Sequence, residues 1–141
     1  MKDDVKIKFY AVTIDCKEPE ELAKFYAKLL HWDYMVFDKD YAMVYVPGSC
    51  QGAYPGITIQ RNPNYVPPVW PEQPGEQQIM EHLDLAVNDL EAAVEYAKEC
   101  GATEAKDQFS DSWRVMIDPV GHPFCLCRMK EVMDSPQFGL L

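Results

Sequence analysis

The sequence contains no apolar run near the ~20 residues needed to span a bilayer, and none of signal-peptide length behind its opening Met1-Lys2-Asp3-Asp4. That sets the expectation of a cytoplasmic protein with no membrane partner. Paired metal-binding cysteines are also missing. Cys16, Cys50, Cys100, Cys125 and Cys127 are odd in number and follow no CxxC or knuckle spacing, which excludes a disulfide scaffold and a structural zinc. Most of these thiols are expected to be reduced, and several to be buried. Positive charge is scarce. Lysine and arginine number 13 against 23 acids, for a net charge of −10, and they gather into no stripe. Nucleic acid and anionic membrane are thereby excluded as partners. A cationic ligand would be attracted, although solubility is the plainer use of such acidity. What the chain has is apolar content: 48% hydrophobic residues in 141, enough for one domain with a core that needs no staple.

The chain also repeats itself. Ala11-Val12-Thr13-Ile14-Asp15-Cys16 through Phe25-Tyr26 lies over His82-Leu83-Asp84-Leu85-Ala86-Val87 through Tyr96-Ala97 without a gap, at an offset of about 70 residues. The same register sets Met43-Val44-Tyr45-Val46 on Arg114-Val115-Met116-Ile117. After a small slip, Gly56-Ile57-Thr58-Ile59-Gln60-Arg61 falls on Pro123-Phe124-Cys125-Leu126-Cys127-Arg128.

Each half predicts the order βαβββ. In the first, a β-branched and aromatic strand runs from Ile7 to Cys16, and Glu18-Pro19-Glu20-Glu21 opens a helix with proline near N1 and acids in the first turn. Leu22, Phe25, Tyr26 and Leu29 form its apolar face. Shorter strands follow at Tyr34 to Phe37, Tyr41 to Val46 and Gly56 to Arg61, with Pro47-Gly48 closing the second. The second half predicts a strand over Glu81 to Val87, then Asn88 as N-cap with Glu91 three residues on. A helix with Leu90, Ala93, Val94 and Ala97 inward ends at Gly101. Strands at Thr103 to Phe109, Trp113 to Asp118 and Pro123 to Arg128 complete it, the last two joined by the turn Asp118-Pro119-Val120-Gly121. The domain reading is a single unit over 1–141: a module over about 5–62, a proline-rich connector, ordered or semi-rigid, over about 63–79, a second module over about 80–130 and a tail or dimer contact over 131–141.

Alternation along the strands assigns faces. Leu83, Leu85 and Val87 point to the helix side with Phe124, Leu126, Ile57 and Ile59. His82, Asp84 and Ala86 point to the other face with Cys125 and Cys127, as do Ala11, Thr13, Asp15, Thr58 and Gln60 from the first half. That face holds the candidate ligand-binding residues, Thr58, Gln60, His82, Asp84, Trp113 and Cys125. His82 is the best catalytic candidate, and the plainer role for it is a hydrogen-bonded wall residue. Cys125 reads as a small buried hydrophobe in preference to a nucleophile, because no neighbour in sequence favours a thiolate. His122 is expected to stabilise its turn.

The runs Leu22-Ala23-Lys24-Phe25-Tyr26 with Leu29-Leu30-His31-Trp32, His82-Leu83-Asp84-Leu85-Ala86-Val87-Asn88-Asp89, and Asp118-Pro119-Val120-Gly121-His122-Pro123-Phe124-Cys125-Leu126-Cys127 together resemble the glyoxalase-like branch of the vicinal oxygen chelate superfamily, which spans glyoxalases, bleomycin-resistance proteins and ring-cleaving dioxygenases. The resemblance implies an α+β fold of two tandem βαβββ modules, a cupped and mostly antiparallel sheet with helices on the outer face, and a homodimer. Metal-using members place ligands on the first and last strand of each module, positions that fall here on Ala11, Thr58, His82 and Cys125. Only His82 is a strong ligand among them, so no metal and no other cofactor is expected. A divalent metal at His82, helped by Asp84, Cys125 or Cys127, is the alternative. Metal-free members sequester drugs, and Trp32, Trp70, Trp113, Tyr26, Tyr41, Tyr54 and Tyr65 are available as aromatic walls for a cationic guest. Core and loop packing is the plainer use of those rings, and Trp70, set among prolines, would lid a cavity or pack a dimer partner. The expected function is thus binding of a small molecule in the cavity of the sheet, by a dimer. The alternative is a metal-dependent lyase, isomerase or dioxygenase-like enzyme using His82, and the residues leave open whether any reaction is catalysed.

Overall fold

The computed structural model describes residues 4–49 and 55–135; Cys50, Tyr54 and the tail beyond residue 135 lie outside them. Two compact units form, Met1–Asn64 and Tyr65–Leu141. The first carries β1 (Ala11–Cys16), α1 (Pro19–Leu30), β2 (Asp33–Val36), β3 (Tyr41–Tyr45) and β4 (Gly56–Arg61). The second carries β5 (Leu83–Val87), α2 (Leu90–Cys100), β6 (Thr103–Glu104), β7 (Trp113–Ile117), β8 (Pro123–Arg128) and α3 (Lys130–Asp134). Each unit holds one open four-stranded sheet, in the order β1-β4-β3-β2 and β5-β8-β7-β6. The β1–β4 and β5–β8 pairs are parallel and the others antiparallel, so the βαβββ repeat read from the sequence is the fold.

Proline at the start of α1 supplies a fixed φ where no N–H is needed, and Glu20 and Glu21 meet the positive end of the helix dipole. Leu22, Phe25 and Tyr26 are buried while Leu29 is half-buried, and α1 packs on β2, β3 and β4 over Ile57, Ile59 and Val44. In the second unit Leu90, Val94 and Ala97 of α2 are buried, Ala93 half so, and the helix packs on β6, β7 and β8 above Met116, Phe124 and Leu126. The closing strands β4 and β8 alternate burial in the same sequence, with Ile57, Ile59, Phe124 and Leu126 inside and Thr58, Gln60, Cys125 and Cys127 half-buried opposite. That is the face assignment predicted from alternation.

Strand ends shift by one or two residues at β2, β3, β5 and β7, so that β5 begins at Leu83 and His82 precedes it; four further differences from the sequence reading each have a local reason. Strand β1 starts at Ala11, because its parallel partner β4 starts opposite at Gly56; Ile7 and Phe9 stay exposed at 76% and 70%. The N-cap of α2 is Asp89, whose carboxylate accepts from Ala92 N–H at 3.1 Å, while Asn88 accepts instead from the Asp89 N–H at 2.9 Å. Strand β6 stops at Glu104 because the Gln108 side chain takes over: it donates to Ala105 O and Val115 O and accepts from Val115 N–H, all at 2.8–2.9 Å. Residues 130–134, expected as tail, form the single turn α3 packed on β5, too short for periodicity to reveal.

The proline-rich run from Tyr65 is ordered against its own unit. The Tyr65 hydroxyl donates to Val120 O at 2.7 Å, its ring lies 5.1 Å from that of His122, and Val69 N–H donates to Gln77 O. In the turn beneath, buried Asp118 accepts from the backbone N–H groups of Val120 and His122, so His122 contributes through its main chain as well as its ring. Gly121, at φ 102°, ends the turn in the left-handed region, and a Cβ there would lie 2.7 Å from Pro67.

Candidate functional site

On the face of the second sheet away from α2, strand pairing sets Asp84, Cys125 and Val115 in one row and Ala86, Cys127 and Trp113 in the next. His82, two residues before Asp84, points the same way. His82 Nε2 lies 3.2 Å from Asp84 Oδ1, a distance at which a protonated Nε2 donates to the carboxylate, and both side chains are accessible. The donor atoms of His82, Asp84 and Cys125 all fall within 4.8 Å of one another. His82 lies just before β5, within reach of Asp84, and Cys125 sits directly beside Asp84 on β8.

This environment disfavours negative sulfur. Burial first, then the Asp84 and Cys127 charges, push the Cys125 thiol up to about 11, and the thiol also donates to the Asp84 carboxylate. Cys127 is raised as well, by burial and then by Asp84. Both are protonated near neutrality, so neither is a ready nucleophile. The described cysteines Cys16, Cys100, Cys125 and Cys127 form no disulfide.

The first unit presents the matching rows with different chemistry. Thr58 lies between Thr13 and Met43, and Gln60 lies beside Asp15 and Tyr41. Gln60 Nε2 donates to Asp15 Oδ1 at 3.3 Å and Asn62 Nδ2 to Asp15 Oδ2 at 3.0 Å, so Gln60 is already engaged. Ala11 and Thr58 take the places of His82 and Cys125. A four-ligand centre shared by the modules, as metal-using relatives of the sequence pattern have, does not fit this donor set: alanine offers no atom and threonine a neutral hydroxyl.

The aromatic candidates separate. Trp113 stands at the start of β7 opposite Cys127, 40% exposed, on the same face as His82. Tyr26 is core, edge-on to Phe25 at 4.8 Å. Trp70 meets Phe109 edge to face at 6.1 Å, and its buried Nε1 has no hydrogen-bond partner among the described residues. Trp32 belongs to a recess of about 470 Å³ on the first unit with Lys24, Lys28, Asp33, Tyr34 and Tyr45. The sequence reading missed that recess; the signal available was Lys24 and Lys28 one helical turn apart, just ahead of Trp32.

A family model described as a glyoxalase-like domain matches residues 11–127. Among solved structures, the chain resembles glyoxalase I of Leishmania major, a trypanothione-dependent enzyme, with TM-score 0.61 and 15% identity over 92% of this chain and 91% of that one. A genomically encoded fosfomycin resistance protein from Listeria monocytogenes gives TM-score 0.62 and 11% identity over 89% and 95%. An antibiotic binding protein from a Streptomyces species gives 0.55 and 14% over 87% and 96%. No curated protein sequence matches significantly. At these identities the structural likeness speaks for the fold. Among the described residues, no helix is long and apolar enough to cross a membrane.

Proposed function

Because the chain belongs to the glyoxalase-like domain family, within the glyoxalase, bleomycin-resistance and dioxygenase superfamily, we propose that it binds a small aromatic cation on the strand face of its second unit, without the four-ligand metal centre of its metal-using relatives. The observation that carries this reading is the sharing of one face by the Asp84 carboxylate, the His82 imidazole and the exposed Trp113 ring. Asp84 and Trp113 are two strands and one row apart, roughly 12 Å at ordinary sheet spacings, a span suited to a cationic head beside Asp84 and a ring laid on Trp113. The net charge of −10 draws such a ligand in from a distance. The Cys125 and Cys127 thiols line the floor between, and His82 flanks Asp84 on the side away from Trp113. The counterpart face of the first unit, with Thr58 and Gln60, is the secondary candidate, since Gln60 is spent on Asp15. The fosfomycin resistance and antibiotic binding proteins named above lend this reading a precedent on the same scaffold. Homodimerisation and a cytoplasmic setting accompany it as part of the proposal.

No covalent step is assigned, because both thiols of the face are held protonated. The test is a tryptophan-fluorescence titration of chelator-stripped protein with tryptamine and N-methylquinolinium, alongside neutral analogues. Saturable quenching by the cations is expected, weakened by Asp84→Asn and lost in Trp113→Phe. A panel giving no saturable quenching contradicts the proposal. A second reading, a metal-dependent lyase, isomerase or dioxygenase-like enzyme at His82, draws on the convergence of His82, Asp84 and Cys125. It would show as turnover after metal loading that His82→Ala abolishes.

A further inference from the structure

We infer that the first unit carries a second binding site, a recess at the end of α1 that takes a small aromatic carboxylate. The site lies where the helix covers its sheet, and its ligand has the opposite charge to the one proposed for the strand face of the second unit.

The recess holds about 470 Å³, within the range of small-molecule sites, and is lined by Lys24, Lys28, Trp32, Asp33, Tyr34 and Tyr45. Its form follows from the way α1 ends. His31 takes the left-handed conformation at φ 57°, where glycine is usual, and turns the chain back so that Trp32 N–H donates to Ala27 O at 2.9 Å. Strand β2 begins at the next residue, with Asp33 paired to Tyr45 and Tyr34 to Val44. Lys24 and Lys28 stand one helical turn apart, so both ammonium groups reach one anionic head. The rings of Trp32, Tyr34 and Tyr45 wall an aromatic body.

Lys24 meets Glu20 and Glu21 only at 3.7 and 3.8 Å, and all three side chains are between 48% and 72% exposed. Such loose surface pairs add little and yield readily to a ligand carboxylate. Charge limits the ligand to a single negative group: Asp33 lines the same recess and the whole chain carries −10, so a dianion is opposed where a monoanion is accommodated. The negative end of the α1 dipole is blunted, because the His31 and Trp32 N–H groups cover the Lys28 and Ala27 carbonyls.

The second unit acts as a control within the chain. Helix α2 ends with the same hydrogen bond, Ala102 N–H to Ala97 O at 3.0 Å, which puts Ala102 at the place of Trp32. Glu104, paired with Met116 as Tyr34 is with Val44, takes the place of Tyr34. It lies 3.8 Å from Lys98 and accepts from Arg114 at 2.6 Å, so that corner is closed by the chain's own ion pairs. The fold therefore does not call for an indole and a phenol beside the lysines of α1.

The test follows the Trp32 indole N–H by heteronuclear NMR of the full chain titrated with naphthoate, and in parallel with naphthylmethanol, naphthyl phosphate and naphthylmethylamine. Loss of the signal in Trp32→Phe assigns it. Saturable shifts at Trp32 and at the Lys28 and Tyr34 amides are expected with naphthoate, about tenfold tighter than with the alcohol or the amine, and weaker as salt is raised. Lys24→Gln combined with Lys28→Gln lowers the affinity about tenfold or more, while the corresponding pair of arginine substitutions keeps it. The inference is overturned by an alcohol or a phosphate that binds as tightly as naphthoate, or by an affinity indifferent to the glutamine pair. Naphthoate shifts at Trp113 and Cys125 in place of Trp32 overturn it too. The carboxylate and the cation titrations read different tryptophans, so failure of either leaves the other standing.

Discussion

Replacing Asp84 by asparagine should speed chemical modification of Cys125, and the size of the effect follows from what surrounds the sulfur. With the thiol pushed from 9.0 to about 11, its thiolate fraction at pH 8 is near one in a thousand, against roughly one in ten unperturbed, so alkylation should run about a hundredfold slower than at an ordinary thiol. The sign follows from the raised value: the proton is retained through neutral pH, and the rate climbs about tenfold per pH unit until it levels near pH 11. Burial is the largest cause and survives the substitution; the Asp84 charge and its hydrogen bond do not. Asp84→Asn should therefore recover part of the hundredfold and not all of it. The assay is iodoacetamide labelling of metal-free protein from pH 7 to 11, with the peptide carrying Cys125 quantified by mass spectrometry. Wild-type Cys125 reacting at the rate of an exposed thiol, or Asp84→Asn leaving the rate unchanged, refutes the electrostatic account.

Trp70 and Gly121 give two stability predictions, both read by urea denaturation followed by circular dichroism. The Trp70 Nε1–H is buried without an acceptor, a cost of about 1–3 kcal/mol, while the edge-to-face contact with Phe109 is worth about 0.5–1.5 kcal/mol. Trp70→Phe, which removes the N–H and keeps a ring, is expected to lie within about 1 kcal/mol of wild type, with Trp70→Ala clearly worse; equal losses would mean that the N–H has a partner. Gly121→Ala is expected to destabilise by roughly 1–3 kcal/mol, from the positive φ and the 2.7 Å approach to Pro67. A neutral Gly121→Ala would show that the proline-rich run does not rest on this turn.

The fold was legible because duplication and alternation reinforce one another. Two matching segments about 70 residues apart fix the order of elements, and period-2 burial along β4 and β8 fixes which side faces the helices. The boundaries that escaped are those set by partners the local sequence does not contain. Gln108 mimics a strand edge and so truncates β6, and Gly56 across the sheet decides where β1 begins. At the candidate site, alternation put His82, Asp84 and Cys125 on one face. It could not say that Cys125 would stand beside Asp84, since that depends on the β5–β8 register, a long-range fact. Burial of Cys125 was expected from the sequence, and the residue is half-buried; the carboxylate from another strand that raises its thiol further was invisible there. The lysine-flanked recess beside Trp32 went unnoticed because it forms where a helix meets two strands, with no motif to mark it.

The central claim, that ligand chemistry sits on the second unit's strand face, is tested most directly by amide and indole chemical-shift mapping of metal-free protein titrated with N-methylquinolinium. The account predicts saturable shifts at the Trp113 indole N–H and at the backbone amides of Asp84, Cys125 and Cys127, with Phe124 and Leu126 on the helix side little changed. Shifts confined to Lys24, Lys28, Trp32 and Tyr45 would place binding in the recess beside α1 and contradict it.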